Sequence, residues 1–288
     1  MKLWPKKRSS VSDEQRIAKV KMERKRILNE NSGFFIKEAY KTLRTNVNFS
    51  LADTEGCKVL MVTSAVKSEG KSLSALNLAI SLAQIDKKVM IIDCDLRRPK
   101  LNRLLDVSGP VGLSNLLMDL NMLNKAIIHS KEYGLDVIIS GDIPPNPAEL
   151  LSSVRMQKLI ETLRQQYDYI ILDSPPVNLV IDAVALSPRC DGVLLVVRAN
   201  SSERGAVIHA MEQLDYVKAN VLGFVFNAVT AETGSGYGKY RYHQYSRYKR
   251  YYNRYGYYGY GYGGYGTYGT YVQAPTPNPH NDGNPDAQ

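Results

Sequence analysis

Short apolar runs alternate with amphipathic stretches from residue 58 to residue 227. Lys58–Thr63, Lys88–Asp93, Asp136–Ser140, Asp168–Asp173, Gly192–Arg198 and Val221–Asn227 are rich in Val, Ile and Leu, which predicts strands buried on both faces. Helices are expected between them over Lys71–Ile85, Val154–Gln166 and Ser202–Lys218. From Phe34 to Leu51, Phe35, Ala39, Leu43 and Val47 recur every four residues, which predicts a helix with these four on its apolar face. Strands alternating with helices imply a mostly parallel sheet with helices on both faces, an α/β fold ending near Val229.

The two ends depart from this pattern. Residues 1–32 are charged and weakly periodic, with one helix expected around Asp13–Leu28, either a solvated lead-in or a docking arm. From Thr233 the chain becomes Gly-Tyr repeats and then Pro, Asn and Asp. Such a segment has little aliphatic surface to bury and is expected to be disordered on its own. The expected organisation is a basic arm (1–32), one globular domain (33–232) and a flexible tail (233–288) with a tyrosine cluster at 237–271.

Charge follows the same division. The net charge of +9 belongs to the ends, because residues 31–234 carry 21 Lys and Arg against 22 acids. A basic end can meet anionic lipid, nucleic acid or acidic protein. Three cysteines without a CxxC pair fit reduced thiols better than a disulfide framework or zinc site. No apolar run approaches the roughly 18 residues of a membrane span, and the basic start lacks a signal-peptide core. A cytoplasmic chain is expected, held at any membrane by something else.

Three segments carry candidate chemistry. Ala65-Val66-Lys67-Ser68-Glu69-Gly70-Lys71-Ser72 follows a predicted strand and opens a predicted helix, the setting in which backbone amides cradle phosphate. Lys71 would reach the β- and γ-phosphates and the Ser72 hydroxyl would complete a Mg²⁺ shell. Ala65 stands where the phosphate-loop consensus has its first glycine. Position 66 is Val, where partition and division-site ATPases of similar fold have a signature lysine; Lys67, one place on, reads as a solvent-facing charge. Asp173 ends an apolar strand, as expected of a carboxylate ordering Mg²⁺-bound water. Asp93 and Asp95 end another and would point the same way if the strand ran on to Asp95. Two such carboxylates suit Mg²⁺, or one metal ligand and one proton acceptor, or the capping of a neighbouring helix.

These segments, with Gly112-Leu113-Ser114, Pro144-Pro145-Asn146-Pro147-Ala148-Glu149-Leu150-Leu151 and the tyrosine tail, resemble the bacterial tyrosine kinases of capsule and exopolysaccharide synthesis. The likeness covers about residues 33–272 and is to the form in which the kinase is a separate cytoplasmic chain. It implies a P-loop NTPase-like fold and ATP–Mg²⁺ chemistry. Val66, Lys67, Ser68, Glu69, Gly70, Lys71, Ser72 and Leu73 would line the phosphates, and Ser72, Asp95 and Asp173 would organise Mg²⁺. Asp93 would accept the tyrosine proton, although an ordinary carboxylate is a weak base toward a phenol of pKa about 10. Arg97 would hold phosphate or tyrosine, and Asn227 would contact adenine, unless it is a plain strand-end asparagine. A ring-building helix motif reads here as Glu38, Lys41 and Arg44; lysine at the middle position loses bidentate carboxylate pairing.

The resemblance further implies autophosphorylation in the tail. The candidates are Tyr237, Tyr240, Tyr242, Tyr245, Tyr248, Tyr251, Tyr252, Tyr255, Tyr257, Tyr258, Tyr260, Tyr262, Tyr265, Tyr268 and Tyr271. At up to about 3.3 Å per residue the tail could reach a neighbouring subunit of a ring-like homo-oligomer. Implied partners are a membrane-anchored polysaccharide chain-length regulator that activates the kinase and recruits it to the inner face of the plasma membrane, and a phosphotyrosine phosphatase. Two competing readings stand beside this one. The Tyr/Arg/Gly tail could bind nucleic acid, although none is expected, or the core could be a partition-type ATPase that hydrolyses ATP without transferring phosphate to protein.

Overall fold

The computed structural model describes residues 20–229 together with Ala18. The tail tyrosines, and most of the arm before Val20, lie outside the described residues. The chain enters through helical residues 20–24 and then runs α1 (Phe34–Ser50), β1 (Lys58–Ser64), α2 (Lys71–Ala83), β2 (Val89–Asp93), α3 (Leu101–Leu105), α4 (Leu113–Met118) and α5 (Leu123–Ala126). It continues through β3 (Ile128–Ser130), β4 (Leu135–Ile138), α6 (Pro147–Leu151), α7 (Val154–Arg164), β5 (Tyr169–Asp173), α8 (Asp182–Leu186), β6 (Gly192–Arg198), α9 (Arg204–Tyr216) and β7 (Val221–Asn227).

The strands form one seven-stranded sheet in the order β3-β4-β2-β5-β1-β6-β7. Every pairing is parallel except that of β3 with β4. All six predicted strands are present, and the parallel sheet follows from their near-continuous apolar sequences. The short antiparallel edge strand β3 was not predicted, because three residues reading Ile-His-Ser carry no period. Five short helices, α3, α4, α5, α6 and α8, were likewise not predicted, being four to six residues long each. One or two turns are too short to display a 3.6-residue repeat.

Alternation along the strands divides the core into two layers. Val59, Met61, Met90, Ile92, Ile170, Leu172, Val193 and Leu195 face α4–α9. Leu60, Val62, Val89, Ile91, Tyr169, Ile171, Leu194 and Val196 face α1, α2 and α3. Each CH₂ removed from water in these layers stabilises the fold by about 0.8 kcal/mol. The second layer also receives Ile27 and Leu28, both buried. Their backbone is held by Asn77 of α2, which accepts from the Leu28 N–H (2.8 Å) and donates to the Arg26 carbonyl (3.1 Å).

Two expectations are corrected. The face that α1 turns to the core is Tyr40, Leu43 and Val47, while Phe35 and Ala39 are exposed. The spacing of three then four seats a helix on the sheet, whereas a strict four-residue stripe drifts around the helix axis. β7 is an edge strand rather than one buried on both faces: Leu222 and Val225 pack inward, but Phe224 and Phe226 are exposed.

Candidate functional site

The carboxyl ends of β1, β2 and β5 are adjacent in the sheet, at the edge where open parallel sheets place their ligands. Residues 65–70 leave β1 and turn into α2, whose first residue is Lys71. Ser68 (φ 69°) and Gly70 (φ 99°) are both left-handed, so the loop reverses within a few residues. Glycine is needed at position 70 on a second count. A Cβ there would fall 1.9 Å from Asn227 Nδ2, which donates to the Glu69 carbonyl at 2.7 Å.

The loop is braced from the β6–β7 side. The buried Glu69 carboxylate accepts from the Val66 N–H (3.0 Å) and from the Ser202 hydroxyl. The Arg198 guanidinium donates to the Ser68 carbonyl (3.3 Å). Lys67 is exposed, and the partly buried Leu73 side chain packs against the core. The amide of Asn227 is occupied within the chain, since its Oδ1 accepts from the Ala228 N–H (2.8 Å) while Nδ2 holds the loop.

The sheet register aligns Asp93 of β2 directly with Asp173 of β5. Both fall on the α2 side of the strands by the same alternation that sorts the core, and both are fully buried. β2 stops at Asp93, so Asp95 is placed by the following loop rather than by strand alternation. The Lys71 ammonium lies between the groups, 3.0 Å from Asp95 Oδ2, 3.1 Å from Asp173 Oδ1 and 3.4 Å from Ser72 Oγ. Burial opposes charge on Lys71, but the carboxylates of Asp173, Asp95 and Asp93 outweigh it and hold the ammonium above the ordinary lysine range.

Burial, followed by the charge of Asp173, pushes Asp93 up to about 7, against the lowering effect of the Leu101 amide, Lys71 and the Lys100 amide. Its Oδ2 accepts from the Lys100 N–H (2.9 Å) and the Leu101 N–H (3.0 Å), which caps α3. Its Oδ1 accepts, among the described residues, only the longer bond from the Asp95 N–H (3.2 Å). The candidate proton acceptor is thus also the cap of α3. Burial likewise raises Asp173, against the charge of Lys71 and a hydrogen bond from Ser72.

Among the described residues no group of three or more His, Cys, Asp or Glu is arranged to hold a metal. The set Ser72, Asp95 and Asp173 still fits Mg²⁺, which keeps several waters and takes few protein ligands. Asp173 Oδ2 is buried with no hydrogen-bond partner among the described residues, a free acceptor beside the loop.

Further out, Arg97 Nε and Nη2 donate to Asp182 Oδ2 and Oδ1 at 2.8 and 3.0 Å. Asp182, Arg198 and Ser202 were not identified from sequence. Only Asp182 left a trace there, as a lone charge in the apolar run Leu179-Val180-Ile181-Asp182-Ala183-Val184. Of the two motifs between β2 and β5, the first packs tightly at Gly112, where a Cβ would fall 2.1 Å from the Gly141 nitrogen, and the second supplies α6, which packs against α8. In α1, Lys41 pairs with Glu38 at 2.8 Å, while Arg44 is turned inward onto the Ser81 carbonyl.

The family described as "AAA domain" matches residues 57–221. Tyrosine-protein kinase YwqD of Bacillus subtilis (strain 168) is 41% identical over 203 residues, covering 70% of this chain and 85% of that one. The chain is a member of the bacterial tyrosine-protein kinases. Tyrosine-protein kinase CpsD of Streptococcus agalactiae agrees, at 37% identity over 71% of this kinase and 88% of CpsD. The solved kinase domain of the Escherichia coli tyrosine kinase ETK superposes with a TM-score of 0.66 and 38% identity, covering 70% of this chain and 79% of that one. The kinase spans only 27% of the full etk chain of E. coli strain K12. Among the described residues no helix of the kinase is long and apolar enough to cross a membrane.

Proposed function

We propose that the kinase uses ATP and Mg²⁺ to phosphorylate the tyrosines of its own 237–271 cluster, in trans between subunits of a ring-like homo-oligomer. The observation that carries this reading is the buried group of Lys71, Asp93, Asp95 and Asp173 at the start of α2, beside a glycine-turned loop. A lysine and three carboxylates are costly to bury together unless they serve a ligand that carries charge of both signs.

The backbone of Val66–Leu73 and the Lys71 ammonium hold the ATP phosphates, and Ser72, Asp95 and Asp173 hold Mg²⁺. When bound, Mg²⁺ supplies positive charge that offsets the charge of the phosphates. The Lys71 ammonium would compete with Mg²⁺ for the Asp95 and Asp173 carboxylates it now contacts, so that Lys71 would be free to hold phosphate. Asp93 takes the phenolic proton at Oδ1, the oxygen with the weaker existing bond. The phenolic oxygen then bonds to the γ-phosphorus as the bond to ADP breaks. A carboxyl raised to about 7 is a better base than an ordinary aspartate and is still ionised in part at neutral pH. Because Asn227 grips the loop, its support of adenine would come through a shift of its amide or through the loop it positions.

The wider setting is regulation of capsular or exopolysaccharide synthesis and export, including substrates other than the kinase itself. The motif resemblance supports this setting. A membrane-anchored chain-length regulator would activate the kinase and hold it at the inner face of the plasma membrane, and a phosphotyrosine phosphatase would reset it. The basic first thirty residues, with ten Lys and Arg against four acids, suit an anionic surface.

The test is incubation of the full chain with Mg²⁺ and γ-labelled ATP, with and without the regulator's cytoplasmic peptide, beside Lys71→Met. Peptide mass spectrometry should find phosphate on tail tyrosines in the native chain and none in the variant. ATP hydrolysis without phosphotyrosine under both conditions would favour an ATPase that transfers nothing to protein.

A further inference from the structure

Both hydrogen bonds of the Arg97 guanidinium go to one carboxylate, that of Asp182. The two partners differ sharply in exposure. The Asp182 side chain is 0% exposed, and that of Arg97 is 42% exposed. The pairing uses the Nε–Nη2 edge and, among the described residues, leaves three of the five guanidinium N–H donors unspent. Arg97 lies two residues beyond Asp95, and both Asp95 and Glu149 are within electrostatic range of its charge. Asp182 is the first residue of α8, next to the buried Ala183 and Val184, and α8 is packed on α6. The carboxylate is therefore fixed, and it fixes an otherwise flexible loop arginine.

A surface clip between two loops would leave both partners wet and would contribute little. A fully buried carboxylate with an outward-facing guanidinium is instead an arrangement that aims a cation. We propose that Asp182 is a positioning residue for phosphoryl transfer, directing the unspent donors of Arg97 at the tyrosine acceptor and the phosphoryl group passing to it. This rests on the reading of Arg97 as a group that contacts those reacting partners.

The experiment compares full-length wild type, Asp182→Asn, Arg97→Ala, Arg97→Lys and the double variant Asp182→Asn/Arg97→Ala. The acceptor is a synthetic peptide of residues 248–259, and turnover is read as ADP formed and as phosphotyrosine. Asp182→Asn should lower kcat about ten- to a hundred-fold, the usual effect of a small misplacement, with KM for ATP and the melting temperature nearly unchanged. Arg97→Ala should lose as much, and the double variant no more. Arg97→Lys keeps the charge but not the fork and should also fail, which keeps the test decisive if Asp182→Asn does not fold.

Wild-type kcat in Asp182→Asn, an additive loss in the double variant, or full activity in Arg97→Lys would overturn the positioning role. Unchanged turnover in Arg97→Ala would overturn the reading of Arg97 and the positioning role together. Formation of ADP without phosphotyrosine in the wild type would refute tail phosphorylation and, with no tyrosine acceptor to serve, the positioning role with it.

Discussion

Asp93 and Asp173 are register partners on adjacent parallel strands, both fully buried and both on the face covered by α2. A parallel ladder sets such neighbours within a few ångströms of each other, and in a dry interior two carboxylates so close resist ionising together. Lys71, pinned at the first turn of α2, supplies the offsetting charge. The site's acid–base behaviour follows from this arrangement.

The first prediction concerns pH. The Asp93 carboxyl is raised in the folded chain from 3.8 to about 7. Between those values the folded state holds a proton that the unfolded state has released. The contribution to stability is therefore full below about pH 4 and is lost as pH rises toward 7. Asp93→Asn should flatten the fall in melting temperature between pH 4 and pH 8 and abolish turnover. In the native kinase kcat should rise with pH through about 7, as the base ionises. Melting and rate profiles across this range check both.

Lys71→Met should destabilise the chain as well as inactivate it. Removing one partner of a buried ion cluster leaves uncompensated charge and typically costs about 3–5 kcal/mol. Asp173, already raised by burial, would rise further without the ammonium. The loss should accordingly be larger at pH 8 than at pH 5. Urea unfolding at the two values measures it.

Gly70→Ala should fail through two separable effects, its left-handed backbone and its collision with Asn227. The backbone cost alone is about 1–2 kcal/mol. Combining it with Asn227→Ala should recover part of the lost stability by removing the collision, without restoring nucleotide affinity, because the bond from Nδ2 to the Glu69 carbonyl is gone. Denaturant unfolding and nucleotide titration of the single and double variants separate the two effects.

In α1, Lys41→Ala and Arg44→Ala should part company. Lys41 makes an exposed i,i+3 pair, so its loss should change monomer stability by less than about 1 kcal/mol and act mainly on assembly. Arg44 donates to the Ser81 carbonyl of α2, so its loss should cost about 1.5–3 kcal/mol in the monomer itself. Sedimentation velocity alongside chemical denaturation distinguishes them.

The six tail cations Lys239, Arg241, Arg247, Lys249, Arg250 and Arg254 are cancelled by roughly four phosphotyrosines at −1.5 to −2 each. Charge reversal of the tail is expected to release it from acidic sites and loosen a ring. ATP-dependent disassembly that persists after six tail tyrosines become Phe would refute this.

The sequence by itself determined six of the seven strands, the long helices and the parallel sheet, and it singled out the candidate phosphate loop and the aspartates beside it. Buried strands and a strand–loop–helix junction are local patterns, written in consecutive residues. Composition likewise located the basic charge and the tyrosines. Only the tertiary structure decided which aspartates face each other, because register is a relation between β2 and β5, whose paired residues Asp93 and Asp173 lie eighty positions apart. It also decided that Asp93 caps α3, that Arg44 turns inward, that Asn227 and Glu69 brace the loop, and that Arg97 pairs with the buried Asp182. Each of these is a hydrogen bond or ion pair between elements that meet only when the sheet closes. Their energies depend on burial, and burial is a property of the assembled fold rather than of any segment.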